Sequence, residues 1–384
     1  MRIAIFTNNY LPNPYGAALS VETFRQSLTE QGHRVFVFAP RWQGYVDRAP
    51  DVYRYPSIDV AVKIRFPLPL WYSRAINKVL LREKIDVIHA QHPNLLGFAA
   101  KRWARKKNIP LVFTWHALYD HYVHFAPFVP EGIAKKGIMT NAVRYANCAD
   151  HLIVPTPSVE DIARQWGVTN KHVSAVPTGI VAHDFSQTNG ERVRNTLGIP
   201  QDAPLLLTTT RLTEEKNVRF LIEALCTVLK NNAQAHYIVV GGGRLLSELQ
   251  QRTAQENIAD RLHFVGVITH DKIADYYAAA DLFVFSSESE TQGMSVTEAL
   301  FMGLPTVAVD GPGVRDVVAH NETGLLVEKN KNAFVAAVQR LLDDTNLCTS
   351  FSTAAKQRAQ QEFTTEESTK KLLRVYNDVL SRKS

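Results

Sequence analysis

The chain has 384 residues, 45% of them hydrophobic and 21% charged, which is the make-up of a globular protein long enough for two full cores. No apolar run approaches the roughly 18 residues of a membrane-crossing helix, and three scattered cysteines (Cys148, Cys226, Cys348) exclude a disulfide scaffold and read as reduced core thiols. Net charge is +6, yet residues 1–180 carry 22 Lys and Arg against 12 Asp and Glu while the rest carries 21 against 25, so the basic first half can face an anionic partner or simply solvate its helices.

The opening MRIAIFTNNYLP has one basic residue and a short apolar run, which reads as a first strand and not a signal peptide, so a cytoplasmic location is expected. Arg2 to Thr7 is that strand. A loop with Pro12, Pro14 and Gly16 follows, then a helix from Ser20 to Gln31 ended by Gly32, and a strand from Val35 to Ala39. The loop lacks G-x-G-x-x-G, so a dinucleotide fingerprint is absent. Residues 41–84, rich in proline and aromatics, are expected to be an irregular excursion. Asp86 to Gln91 is the next strand, with His89 and His92 at its border, and the helix carrying KRWARKK (Lys101 to Lys107) has the look of a solvated face. Leu111 to Thr114 is a strand, and His116 stands just past its carboxyl end, where ligands gather in open parallel sheets. His116, His121 and His124 have spacing that fits no common metal site. Glu131 to Cys148 sets Ile133, Gly137, Ile138 and Ala142 beside Lys135, Lys136 and Arg144, a pattern that can lie on an anionic membrane or form an ordinary surface helix. A strand at Asp150 to Pro155, a helix through Gln165 and a strand at Val173 to Val176 complete the first half, and Pro177-Thr178-Gly179 marks a linker.

The second half repeats the alternation. Pro204 to Thr210 is a strand that runs into Arg211 and Lys216, five apart around a strand-to-helix turn, and two such cations can converge on one diphosphate. Tyr237 to Gly243 ends in three glycines, where the backbone at Gly242 can come close to a ligand, and Leu262 to Val267, with Val265, is the next strand. The stretch that organises the chain is DLFVFSSESETQGMSVTEALFMGLPTVAVD, Asp281 to Asp310: a strand, a polar loop with Gly293, a helix-spaced segment (Met294, Val296, Ala299, Leu300) and a second strand. Glu290 and Glu298 lie eight positions apart in it, or roughly 12 Å along an uninterrupted helix, so they share a ligand only if the loop folds Glu290 back, which Gly293 permits. Amide groups of Gly293, Met294 and Ser295 at the helix start suit a diphosphate, and each carboxylate can accept from a pair of sugar hydroxyls. A nucleotide sugar has that layout. Glu298, between Val296 and Ala299, is a charge in an otherwise apolar helix, where an unpaired one is costly. Ala333 to Leu342 and Glu367 to Leu380 are the closing helices.

The string E-TQGMSVT-E resembles the E-x7-E signature of the retaining nucleotide-sugar glycosyltransferases of family 4, and Arg211 with Lys216 resembles that family's R-x4-K. TWHALYDHY is similar to the T-x-H-T-x-Y-x-x-Y stretch of the members that glucosylate diacylglycerol, with Ala117 in place of the usual threonine. The resemblance covers nearly the whole chain and implies the α/β GT-B architecture: a first Rossmann-like domain over 1–180 on which a final helix, 367–384, packs back, and a nucleotide-sugar domain over 181–366, facing a central cleft. It implies that Glu298 binds the ribose, Glu290 contacts the donor sugar, Gly293 and Met294 lie at the phosphate, Arg211 and Lys216 serve the leaving diphosphate, the loop at Val265 meets the base, and His116 sits beside the hexose. The family's Gly-Gly pair in the first loop is Gly16-Ala17 here, which leaves the close backbone approach to Gly16 alone. The chain has no D-x-D, and no metal or cofactor is expected. The implied activity is metal-independent transfer of a hexose, glucose, from a UDP-linked donor to a lipid such as diacylglycerol, on a protein that can be peripheral on the inner face of the cell membrane. A soluble or polyprenyl-linked glycan acceptor and a sugar-nucleotide epimerase of the same fold are the alternatives. A non-enzymatic protein binding membrane or nucleic acid through its basic half is disfavoured, because electrostatic binding needs no paired carboxylates.

Overall fold

Apolar runs three to seven residues long, rich in Val, Ile, Leu and Phe, alternate with helices along the chain and build parallel sheets covered on both faces. The computed structural model describes residues 1–13, 16–61, 65–70, 72–118, 131–256 and 258–383. The chain divides into two units, Met1–Gly179 with Thr365–Ser384, and Ile180–Thr364.

The first unit has strands β1 (Arg2–Phe6), β2 (Arg34–Pro40), β3 (Val52–Tyr55), β4 (Ser57–Ala61), β5 (Arg65–Pro69), β6 (Val87–Ala90), β7 (Leu111–Thr114), β8 (His151–Val154) and β9 (Val173–Ala175). Its helices are α1 (Gly16–Glu30), α2 (Arg74–Arg82), α3 (Leu96–Lys107), α4 (Glu131–Cys148) and α5 (Pro157–Gln165). The main sheet runs β3-β2-β1-β6-β7-β8-β9, all parallel, and β4 and β5 form a separate antiparallel hairpin. Side chains alternate across β1: Ala4 and Phe6 enter a core with α3 and α4, whereas Ile3 and Ile5 enter the opposite one with α1.

The second unit has β10 (Leu205–Thr209), β11 (His236–Val240), β12 (Leu262–Gly266), β13 (Leu282–Phe285), β14 (Thr306–Val309) and β15 (Gly324–Val327). Between and after them come α6 (Gly190–Leu197), α7 (Val218–Asn231), α8 (Leu246–Ala254), α9 (His270–Ala279), α10 (Met294–Phe301), α11 (Val314–Val317), α12 (Lys331–Asp343) and α13 (Thr345–Glu362). The sheet order is β12-β11-β10-β13-β14-β15, again parallel. The last helix, α14 (Thr365–Lys383), returns to the first unit, where Leu372, Val375 and Tyr376 fill the core beside Ile3 and Ile5. In both sheets the strand order reverses at one point, between β1 and β6 and between β10 and β13, and in open parallel sheets ligands gather outside the carboxyl ends at such a point.

Two departures from the sequence reading have local causes. Residues 41–84 hold β3, the hairpin and α2, because Tyr55 and Ile76 are buried in the core and Ser73 caps α2 by accepting from the Ile76 amide at 3.4 Å. Pro67 and Pro69 cannot donate to a ladder, and they hide β5 from a pattern search. α13 was not anticipated, since its buried face is carried largely by small residues, Ala355 and Ala359 with Phe351. Among the described residues no helix is long and apolar enough to cross a membrane.

Candidate active site

β10 and β13 are parallel neighbours, with Leu206 opposite Leu282 and Leu207 opposite Phe283, so the loops leaving their carboxyl ends run side by side. Side chains stitch these loops together. Ser286 Oγ donates to the Lys216 carbonyl (2.9 Å) and Ser289 Oγ to the Glu215 carbonyl (3.0 Å). Asn217 Nδ2 donates to the Ser286 carbonyl (3.1 Å) and to Glu288 Oε2 (2.7 Å). In this frame Lys216 Nζ meets Glu290 Oε1 at 2.5 Å, with side chains 11% and 17% exposed.

Gly293, at φ +82°, turns the chain into α10, and a Cβ on it would lie 3.7 Å from Glu290 Cγ. Glu290 therefore folds back against the helix start. The loop after β14 backs this turn: Gly313, at φ +73°, runs so close that a Cβ there would sit 2.7 Å from the Gln292 amide nitrogen, so no side chain fits. Met294 and Ser295 begin α10, and their amides have no acceptor within the helix. Arg211 is not drawn to the same point as Lys216. It is 59% exposed and pairs with Glu215 at 3.2 Å. Leu212 N–H donates to the Gly242 carbonyl (2.9 Å), which ties the glycine run after β11 to the same loop, and Val265 is half-buried in β12.

Glu298 is half-buried one turn into α10. Its Oε2 accepts a hydrogen bond from Tyr277 Oη at 2.7 Å. Burial pushes this carboxyl above the usual range, and the Tyr277 bond works against that rise. Tyr277 itself is fully buried, 2.7 Å from Thr209 Oγ1 and 3.2 Å from the Ser295 carbonyl.

In the first unit, His116 follows β7 and its Nε2 lies 2.5 Å from Gln91 Oε1, so that nitrogen carries the proton. His92, with its ring centroid 6.2 Å from that of His116, accepts at Nδ1 from the Asn8 amide (3.2 Å). Burial pushes His116 down to about 4, and burial together with His116 pushes His92 down to about 3, so both rings are neutral near pH 7. His89, by contrast, lies inside the sheet between Tyr376 Oη (2.7 Å) and Thr114 Oγ1 (2.6 Å). Gly16 is the exposed first residue of α1, with nothing within 4 Å of a Cβ position. Tyr119, His121 and His124 lie outside the described residues. Among the described residues no group of three His, Cys, Asp or Glu side chains has metal-binding geometry.

Sequence reasoning missed Gly313, Gln91 and Tyr277. Only Tyr277 carried a signal: a tyrosine at core spacing between Ala274 and Ala280 needs a partner for its hydroxyl once buried.

Residues 14–183 match the model of glycosyltransferase family 4, and residues 189–358 match that of the glycosyl transferases group 1. The chain is 32% identical to the alpha-monoglucosyldiacylglycerol synthase of Streptococcus pneumoniae over 85% of this chain and 75% of that protein. It is 28% identical to the Acholeplasma laidlawii protein of the same name, over 86% of each. A GDP-mannose-dependent alpha-mannosyltransferase of Mycolicibacterium smegmatis is 30% identical over 89% of each chain. Among solved structures, sucrose-phosphate synthase from Thermosynechococcus elongatus superimposes with a TM-score of 0.81 at 22% identity, covering 99% of both chains, and shares the fold. With two doubly wound parallel sheets and these relatives, the chain belongs to the family 4 glycosyltransferases, hexosyltransferases of the GT-B fold.

Proposed function

We propose that the chain transfers glucose from a UDP-linked donor to a membrane lipid of the diacylglycerol class, with retention of the anomeric configuration. The observation that carries this reading is the likeness, over most of the chain, to two alpha-monoglucosyldiacylglycerol synthases. In this reading the diphosphate lies at the Gly293, Met294 and Ser295 amides. A nucleoside diphosphate is a weak base and leaves without a general acid, so the barrier is dominated by charge separation, with negative charge growing on the diphosphate and positive charge on the sugar carbon. Lys216 and Arg211 meet the negative charge. Glu290, held by Lys216 at 2.5 Å, orients the hexose. The acceptor hydroxyl attacks the sugar carbon from the face of departure as the carbon–phosphate oxygen bond breaks, its proton passes to the departing phosphate oxygen, and the configuration is retained. Glu298 accepts from the ribose hydroxyls, the main chain near Gly242 and Val265 meets the base, Gly16 approaches the donor through its backbone, and the neutral His116 contacts the hexose through a hydrogen bond and not through charge.

The 30% identity to a GDP-mannose-dependent enzyme favours one second reading, mannosyl transfer from GDP-mannose. Radiolabelled UDP-glucose and GDP-mannose, each offered diacylglycerol in mixed micelles, a polyprenyl-linked glycan and a soluble sugar, separate the two. Transfer of label from UDP-glucose to diacylglycerol is expected. Exclusive use of GDP-mannose supports the second reading, and exclusive use of a non-lipid acceptor rejects the lipid assignment. Release of a free epimerised sugar without any acceptor points to an epimerase.

A further inference from the structure

We propose that Tyr277 is a positioning residue for the donor: it holds Glu298 by one carboxylate oxygen so that the other is presented to the ribose. The inference rests on the reading of Glu298 as the ribose acceptor. Two elements, β10 and α10, meet α9 at the Tyr277 hydroxyl. Thr209 Oγ1, at the end of β10, is 2.7 Å away, Glu298 Oε2 of α10 is 2.7 Å away, and the Ser295 carbonyl is 3.2 Å away. A phenol has one proton to give, and the carboxylate is both the stronger and the nearer of the acceptors Glu298 and Ser295. Tyr277 therefore donates to Glu298, and Thr209 donates to Tyr277. The chain of bonds has one direction, and it ends on a negative oxygen.

That direction has two consequences. Glu298 Oε1 has no hydrogen-bond partner among the described residues, so the carboxylate is fixed at one oxygen and open at the other. A freely rotating glutamate on a short helix would lose that orientation, and a hydroxyl pair needs it. The second consequence concerns protonation. A carboxyl raised by burial accepts from a pair of sugar hydroxyls at full strength only while ionised, since protonation turns one oxygen into a donor, and donation from Tyr277 stabilises the ionised form. Tyr277 acts on Glu298 through its hydrogen bond, and the titratable group whose charge reaches Glu298 is His270, also on α9, whose Nε2 is itself 3.0 Å from Asp184 Oδ2. These neighbours are unchanged in the variants below apart from the one replaced.

The experiment is calorimetric titration of the full chain with UDP from pH 5 to 8.5 for wild type, Tyr277→Phe, Thr209→Val and Glu298→Gln, with thermal melts of each. The ligand's own titration is common to all four curves. Tyr277→Phe is expected to bind UDP about threefold to tenfold more weakly at pH 7.5, the worth of one hydrogen bond, and its affinity should begin to fall at a higher pH than that of wild type. Thr209→Val should move the curve in the same direction by less, and it carries the test if Tyr277→Phe does not fold. Glu298→Gln should bind weakly and lack the Glu298-dependent fall at low pH. A Tyr277→Phe curve that superimposes on wild type, whatever its melting temperature, overturns the proposal and returns Tyr277 to a core-filling role. Wild-type affinity in Glu298→Gln overturns the ribose reading itself, which is a separate result.

Discussion

Lys216 Nζ and Glu290 Oε1 stand 2.5 Å apart although 74 residues separate them in sequence, and neither side chain is more than 17% exposed. Removing one member of such a pair leaves the other charge in a poorly hydrated place, whereas removing both does not. Lys216→Ala is expected to lower kcat at least about 100-fold, the usual loss when a group that meets developing charge is deleted, and to lower the melting temperature. Lys216→Met combined with Glu290→Gln should recover most of that thermal loss and none of the turnover. Steady-state kinetics and melts on the single and double variants check both halves. Recovery of turnover in the double variant would make the pair structural.

Arg211 lies in the same loop but in a different situation. Its pairing with Glu215 at 3.2 Å is exposed, and such pairs contribute about 0–1 kcal/mol, so the guanidinium is cheaply surrendered to an arriving diphosphate. Arg211→Ala should leave the melting temperature nearly unchanged and lower kcat more than it raises the donor KM. Normal turnover with only a raised KM would identify Arg211 as a ground-state binding group.

The histidines of the first unit predict acid sensitivity. Burial holds His89 down to about 3 and His116 down to about 4, below the ordinary value near 6.5. Well above pH 6.5 both folded and unfolded states are neutral at these rings and nothing is lost. As pH falls below 6.5 the unfolded chain takes up protons that the folded chain refuses, so stability declines, by about 2 kcal/mol at pH 5 for His89 alone. Melting temperatures should fall steadily from pH 7 to 5, and NMR of the ring signals should show His89 and His116 still neutral at pH 5. A ring that titrates near 6.5 contradicts the burial argument for that residue. His116→Ala should impair turnover while leaving UDP affinity nearly intact, and full activity would return it to a structural role.

Much of this was legible because parallel sheets are buried on both faces. Strands such as Ile3–Phe6 and Leu282–Phe285 are continuous apolar runs, and the glycine before Met294 marks the turn into α10. The turn at Gly293 was also readable, since glycine takes the left-handed φ found there without steric cost. What sequence could not give was partnership. In sequence Lys216 stands with Arg211, five residues away, but its partner in space is Glu290, and the contact depends on β10 lying beside β13. Gly313 carries no signal in the sequence because its reason is the Gln292 backbone beside it. α13 escaped because its alanines bury without an amphipathic signature.

The final prediction concerns the acceptor and uses α4. Its inner side is Ala134, Ala142, Tyr145 and Ala146, all buried, so Ala142 belongs to the core and not to an outer apolar stripe. The outer side begins with Ile133, 66% exposed, and carries Lys135, Lys136 and Arg144 in exposed positions. A lone exposed isoleucine beside several cations fits a surface that touches lipid headgroups, with electrostatics supplying about 1 kcal/mol per cation and the apolar side chain adding little. Three such cations give reversible attachment that salt screens. The chain is therefore expected to cosediment with vesicles containing phosphatidylglycerol and not with purely zwitterionic ones, and to detach as ionic strength rises. Replacing Lys135→Glu and Lys136→Glu together should weaken both cosedimentation and transfer to diacylglycerol in vesicles, while transfer in detergent micelles stays near wild type. Attachment that ignores lipid charge, or an unaltered rate on vesicles in the reversed-charge variant, would remove α4 from membrane contact and leave the donor-site assignments standing.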